Sequence, residues 1–193
     1  MSFPLPYHLF ETGLGWIGIS WSARGLTRVQ LPERDRAATL KRLLATLPGA
    51  VGAQPVECAA EDLPPPVAEA VAAIRRYAAG EAVDFSGIAV DLGTADAFRL
   101  SIYDAARRLG FGETTTYGEL ASRAGHAGLA RETGQALGSN PVPIVVPCHR
   151  ILAAGGKIGG FSGPGGSVTK ERLLKLEGVQ VGPPPPAQGS FGF

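Results

Sequence analysis

In the stretch Asn140-Pro141-Val142-Pro143-Ile144-Val145-Val146-Pro147-Cys148-His149-Arg150-Ile151, three prolines bracket an apolar run that delivers a thiol, an imidazole and a guanidinium in succession. Ile144-Val145-Val146 reads as a short buried strand, and Pro147, with no N–H to donate, ends it. Side chains alternate faces along a strand, so Cys148 and His149 can cooperate only if the chain turns at Pro147-Cys148. The chain has two cysteines, Cys58 and Cys148, too few for a disulfide framework or a Cys-rich zinc site. Cys148 is therefore either a small buried hydrophobe or a nucleophile. The His and Arg that follow it favour the thiolate over its reference pKa of about 8.5, and with it the nucleophile. Cys58 has no His nearby in sequence and reads as structural or exposed filler.

Upstream, Ile102, Ala105, Ala106 and Leu109 form a helical stripe closed by Gly110, and Gly112 to Tyr117 reads as a polar turn. A short helix over 118–124, a tight connection at Gly125-His126-Ala127 and a helix over 129–137 follow, the pattern of a helix-turn-helix. At 100° per residue the second of these helices puts Leu129, Ala130, Thr133, Ala136 and Leu137 on one side as a core stripe. Gly128, Arg131, Gly134, Gln135 and Gly138 share the other. Glycine inside a helix costs about 1 kcal/mol against alanine, so Gly134 on an exposed face implies close approach of something large. A glycine surface around one arginine suits a backbone pressed into a nucleic-acid groove, with Arg131 projecting into it.

Downstream, residues 155–166 carry seven glycines but lack the spacing of a phosphate-binding loop, and a tightly turned loop beside a site is expected. Ser167 reads as the N-cap of a helix through Leu173, Leu174 and Leu176, with Gly178 just past its end. Glu177 opposes that helix's macrodipole, a position that suits a carboxylate orienting an imidazole. From Pro183 the chain reads as a Pro-rich disordered tail.

The first half predicts a small α+β unit. Ile17, Ile19 and Trp21 alternate on one strand and Thr27, Val29 and Leu31 on the next, with Ala23-Arg24-Gly25 as the turn. Leu40, Leu43, Leu44 and Leu47 mark a helix ended by Pro48-Gly49. Val67, Val71 and Ile74 mark a second that stops at Gly80. A reset around residues 91–95 divides the chain into an N-terminal unit, 1–94, a C-terminal unit, 95–182, and the tail, 183–193. Residues 1–96 hold eight Lys and Arg against eleven Asp and Glu, a net of −3, whereas residues 97–182 hold ten against six, a net of +4. The second half is thus the candidate for a polyanionic partner, bound with moderate, salt-sensitive affinity. No apolar stretch approaches a membrane span and no leader is recognisable, so no membrane partner and a cytoplasmic location are expected.

The long motif over Asn140–Ile151, with Thr116-Tyr117-Gly118 before it and Leu173-Leu174 and Glu177-Gly178 after it, resembles the O6-alkylguanine-DNA alkyltransferases, or methylated-DNA–protein-cysteine methyltransferases. The resemblance runs through residues 98–180 and weakly through the first half. It implies an α+β fold, with a ribonuclease-H-like sheet-plus-helices domain followed by a mainly helical, winged helix-turn-helix-like DNA-binding domain. It implies that Cys148 takes an alkyl group from guanine O6 in one irreversible step, with His149 as its base through a water and Glu177 orienting His149. Asn140 would be the hinge and Arg131 the finger that fills the stack after the nucleotide flips out, with Gly134 and Gln135 on the same DNA face. Tyr117 would contact the rotated phosphate and help protonate guanine N3. Ser162 would donate to O6, the carbonyls of Cys148 and Ile151 would read the amino group, and Pro143 would wall the alkyl pocket. The implied partner is double-stranded DNA containing O6-alkylguanine, with alkylated thymine a further candidate, bound through the minor groove by a monomer, with no cofactor and no metal. Flipping is a physical necessity, since a buried thiol cannot reach a base inside a duplex.

Three rivals differ in observable ways. A lesion-binding relative without transfer would lack the cysteine. A helix-turn-helix transcriptional regulator would present polar side chains for the major groove and a dimer stripe. A Cys-His hydrolase would need an oxyanion hole and none of the chain between Gly112 and Gly138.

Overall fold

The computed structural model describes residues 4–47 and 54–181. The proposed end of the first helix at Pro48-Gly49 and the tail at 183–193 lie outside these residues. The chain folds as mixed α+β, with a four-stranded sheet and six helices.

Strands β1 (Pro4–Thr12), β2 (Gly15–Ser22) and β3 (Gly25–Gln30) form an antiparallel meander, and β4 (Gln54–Glu57) adds parallel to β1, giving the order β3-β2-β1-β4. The hairpin read from Ile17 to Leu31 is present, turning at Ala23-Arg24 with Gly25 at φ 141°. A Cβ there would stand 2.5 Å from the Ala89 carbonyl, so the backbones of the two segments touch only because residue 25 has no side chain. Strand β1 carries Pro4 and Pro6 at its start, which masks it in sequence. Its pairing with β2 begins only at Tyr7, and the prolines lie alongside β4.

Period-2 alternation sends the two faces of β1 to different partners. Tyr7 and Leu9 pack with Leu43 and Leu47, on and just beyond helix α1 (Arg36–Ala45), which is capped by Asp35 accepting the Ala38 N–H at 2.8 Å. Phe10, Ile17 and Ile19 pack with Val71, Ile74 and Tyr77 of α2 (Pro65–Ala78), whose first residue is the proline that helix starts favour. This core continues without interruption into Ile102, Ala106, Leu120 and Val146.

The second half contains α3 (Ala97–Arg107), β5 (Thr115–Thr116), α4 (Tyr117–Arg123), α5 (Ala130–Gly138), β6 (Ile151–Leu152) and α6 (Ser167–Leu176). The polar turn expected at 112–117 ends in β5, which pairs parallel with β6 and so brings Tyr117 alongside the segment after Cys148. Helix α4 begins with a full capping box, Thr116 and Glu119 satisfying each other's backbone N–H. Two expectations are corrected here. The N-cap of α6 is Gly166 (φ 56°), not Ser167, because the loop enters the helix in a conformation that suits glycine. Leu129 and Ala130 are not core: Leu129 is 38% exposed at the N-cap of α5, and the buried stripe is Thr133, Ala136 and Leu137.

The free edge of β3 is covered at one end from the second half and at the other by the segment that leads into that half. Val29 donates to the Pro141 carbonyl at 2.9 Å, and Leu26 exchanges backbone bonds with Ala89 and Asp91. At the opposite side Arg172 of α6 donates to the carbonyls of Gly13 and Leu14 in the first hairpin.

Candidate active site

The turn that cooperation between Cys148 and His149 requires is present. Pro147 (φ −80°, ψ 64°) sits in an inverse γ-turn, with the Cys148 N–H donating to the Val146 carbonyl at 2.8 Å, and Cys148–Arg150 form one 3-10 turn. Ile144-Val145-Val146, however, is not a strand. Only an isolated bridge joins Pro143 to Val146, and Ile144 has φ 74°, where a β-branched residue is strained by about 1–3 kcal/mol. Its burial and the Val146 N–H bond to the Val142 carbonyl hold it there.

Asn140 clamps this strained segment. Its Oδ1 accepts the Val142 N–H at 3.0 Å, while Nδ2 donates to the Val146 carbonyl at 2.8 Å and to Cys148 Sγ at 3.3 Å. The Cys148 thiol and the loop that carries it are thus fixed by one side chain.

His149 is fully buried. Its Nε2 lies 2.7 Å from Glu177 Oε1 and 3.1 Å from the Tyr77 hydroxyl, while Nδ1 is buried with no hydrogen-bond partner among the described residues. A carboxylate at Nε2 fixes the proton there and leaves the lone pair on Nδ1. Burial lowers the imidazole's pKa, opposed by Glu177, so the ring is neutral near pH 7 and able to accept a proton. Burial raises the Cys148 thiol, opposed by the Asn140 bond and the Lys170 charge. The resting group is therefore a thiol that needs a base, which corrects the expectation that Arg150 favours the thiolate. Arg150 faces away, donating to Glu177 Oε2 at 2.9 Å and to the Leu109 carbonyl at 2.6 Å.

Glu177, the C-cap of α6, has a fully buried side chain. It accepts from Tyr77, His149, Arg150 and the Gly112 N–H. Burial alone would raise its carboxyl, but the bonds from His149 and Arg150 prevail and hold it at about 2. Position against the macrodipole is offset by the guanidinium that neutralises it.

Three participants were not foreseen. Tyr77 donates to Glu177 Oε1 at 2.8 Å from the far end of α2, so the first half of the chain completes the His-Glu pair. A tyrosine on a buried apolar stripe needs a partner for its hydroxyl, the one signal the sequence offers. Arg150 is the second, as the counter-charge of Glu177. Lys170 is the third: buried, it donates to the carbonyls of Ile151 and Gly160 and lies 5.6 Å from the Tyr117 ring centroid, and burial lowers its pKa to about 8. The Ile151 carbonyl therefore already carries one donor, as does the Cys148 carbonyl, which accepts from the Ile151 N–H.

Cys148 borders two cavities. One, of about 310 Å³, is lined by Tyr117, Gly134, Gly138, Gly160 and Ser162. The other, of about 170 Å³, is lined by Asn140, Pro143 and Phe161 and extends to the N-terminal sheet. Arg131, Gln135 and Gly138 are exposed on the outer face of α5. A Cβ on Gly134 would meet only the Tyr117 ring at 3.8 Å, so nothing inside the protein requires glycine there.

Fold and site together define a mixed α+β protein in which a buried thiol adjoins a neutral imidazole. Residues 97–179 match the family described as 6-O-methylguanine DNA methyltransferase, DNA binding domain. The chain is 32% identical to the mouse methylated-DNA–protein-cysteine methyltransferase over 185 residues, covering 93% of this chain and 84% of that one. It is 43% identical to the Mycolicibacterium paratuberculosis protein of the same name over 110 residues, 57% of this chain and 64% of that one. The crystal structure of Mycobacterium tuberculosis OGT in complex with DNA superposes with a TM-score of 0.70 at 30% identity, covering 90% of this chain and 92% of that one. The chain belongs to the methylated-DNA–protein-cysteine methyltransferase family.

Proposed function

We propose that this protein repairs DNA by moving an alkyl group from guanine O6 to Cys148, once per molecule. The observation that carries this is the pairing of a buried thiol with a neutral imidazole whose one unbonded nitrogen is Nδ1. His149 Nδ1 takes the thiol proton through a water, Sγ attacks the alkyl carbon, and the carbon–O6 bond breaks as guanine takes a proton at N3 from Tyr117. Glu177, held by Tyr77 and Arg150, keeps the Nε2 proton in place throughout. Asn140 Nδ2 tightens its bond to Sγ as negative charge develops there. Ser162 donates to O6 from the mouth of the cavity, Pro143 walls the alkyl group, and the second lone pairs of the Cys148 and Ile151 carbonyls take the guanine amino group.

The DNA lies along α5 by its minor groove, with Arg131 in the vacated stack, Gly134 at the closest approach and Gln135 beside it. Helices α4 and α5 act as the helix-turn-helix of a winged domain spanning 95–182, and residues 1–94 form a ribonuclease-H-like domain that supplies Tyr77. The protein works as a cytoplasmic monomer. Neither a transcriptional regulator nor a hydrolase accounts for the Cys148-His149-Glu177 chain beside a glycine face.

Intact mass after incubation with an O6-methylguanine duplex tests this reading. Wild type and Cys58→Ser should gain one methyl group, and Cys148→Ser should bind the duplex and gain nothing. Repeated turnover, or methylation at a residue other than Cys148, overturns it.

A further inference from the structure

The smaller cavity at Cys148 is also lined by two arginines, Arg28 of β3 and Arg42 of α1. The Val29–Pro141 backbone bond places this strand end beside the Asn140–Pro143 segment. The glycine loop is pressed against it, since a Cβ on Gly163 would stand 2.5 Å from the Phe161 ring and 3.2 Å from Leu31. No Asp or Glu lines the cavity. Among the described residues neither guanidinium has a hydrogen-bond or ion-pair partner, and Nε of Arg28 is buried and unbonded. Burial, and then the charge of Arg42, lower the Arg28 pKa. Two like charges beside one another, one with an unfilled buried donor, are unfavourable unless an anion joins them.

The larger cavity is the one bordered by Tyr117 and the glycine face of α5, where the base and the duplex belong. The smaller is lined by Cys148, Asn140 and Pro143 as well as by the two arginines, which leaves it for the group that sulfur attacks. We propose that this cavity receives the O6 substituent, and that Arg28 with Arg42 makes it a receptor for anionic substituents of the carboxymethyl class. The inference rests on the alkyl-transfer reading and extends it to substrate choice. Sγ attacks the methylene carbon, the bond from that carbon to O6 breaks, guanine takes its proton at N3, and the product is S-carboxymethyl-Cys148 with its carboxylate against Arg28. A charge-assisted, partly bidentate contact of this kind is the sort that arginine makes best.

The test is single-turnover transfer from three duplexes, carrying O6-methylguanine, O6-carboxymethylguanine or the neutral isostere O6-carbamoylmethylguanine, together with binding to an undamaged duplex. Wild type should transfer carboxymethyl faster than carbamoylmethyl. Arg28→Gln should lower the carboxymethyl-to-methyl rate ratio about tenfold and leave the carbamoylmethyl-to-methyl ratio within about twofold. Arg42→Gln, at an exposed position, should shift the same ratio in the same direction and serves if Arg28→Gln does not fold. An equal change on all three substrates overturns the proposal. So does weaker binding of the undamaged duplex that accounts for the whole effect, which would assign the arginines to a backbone phosphate. Methyl transfer without carboxymethyl transfer by wild type overturns this inference alone, whereas absence of methyl transfer overturns the repair reading itself.

Discussion

Replacing Glu177 by Gln should remove a stabilising charge and a catalytic orienter together, and the structure sets the size of the first effect by two routes. A carboxyl lowered from 4.5 to about 2 on folding contributes about 3 kcal/mol at neutral pH. Independently, the change leaves the buried Arg150 guanidinium without its counter-charge, a loss of about 3–5 kcal/mol. The two agree near 3 kcal/mol, roughly 6–12 °C in Tm for a chain of this size. Because the folded pKa is depressed, this stability is complete above pH 4.5 and is lost as the pH falls from there towards 2. The wild-type advantage should therefore shrink to about half by pH 3. Urea unfolding of both proteins at pH 7 and pH 3 measures it. Single-turnover transfer at a temperature where both are folded should be slower in the variant by at least about tenfold, with duplex affinity little changed. A stability difference below about 1 kcal/mol at pH 7, or equal transfer rates, would refute the reasoning that Glu177 both neutralises Arg150 and orients His149.

Tyr77→Phe keeps the edge-on packing against Phe85 and Phe111 but deletes the bond to Glu177. It should cost about 1–2 kcal/mol by chemical unfolding and slow transfer a few-fold without altering duplex affinity. Gly134→Leu has room inside the protein and improves helix propensity, so its Tm should match or exceed wild type. Duplex binding, measured by titration, should fall at least about tenfold, and by more than reaction with free O6-methylguanine slows, because Gly134 also borders the cavity beside Cys148. Arg131→Ala should slow repair in duplex DNA more than reaction with the free base, compared in parallel rate assays.

What could be read in advance divides along physical lines. The hairpin at 15–31 and helices α2 to α5 carry their periodicity within a dozen residues each, and the Cys148-His149 pair is adjacent in sequence, so both were legible. Glu177 was marked by its misfit at a helix end. Tyr77 was hidden because its partners are 72 and 100 residues away and its stripe reads as ordinary core. Residues 144–146 have the composition of a strand, yet Asn140 and the flanking prolines impose a turn with Ile144 in the left-handed region. Local propensity lost there to a tertiary clamp. Strands β5 and β6, two residues each, are too short for any period to show.

The contacts that join the first hairpin to the end of the chain also impose an order on its synthesis. Leu14 waits for Arg172, 158 residues later, and the edge of β3 waits for Pro141. At ribosomal rates of about 5–20 residues per second, the hairpin emerges roughly 8–30 s before its last partner. During that interval the Val29 end of β3 presents an unpaired backbone N–H, since the Leu26 end is already paired with Ala89 and Asp91, and such an edge is one that other chains can extend. On the once-per-molecule transfer proposed above, a new chain is made for every lesion, so the exposure recurs with each repair. Its supply after damage is then governed by how nascent chains are shielded as much as by the chemistry at Cys148.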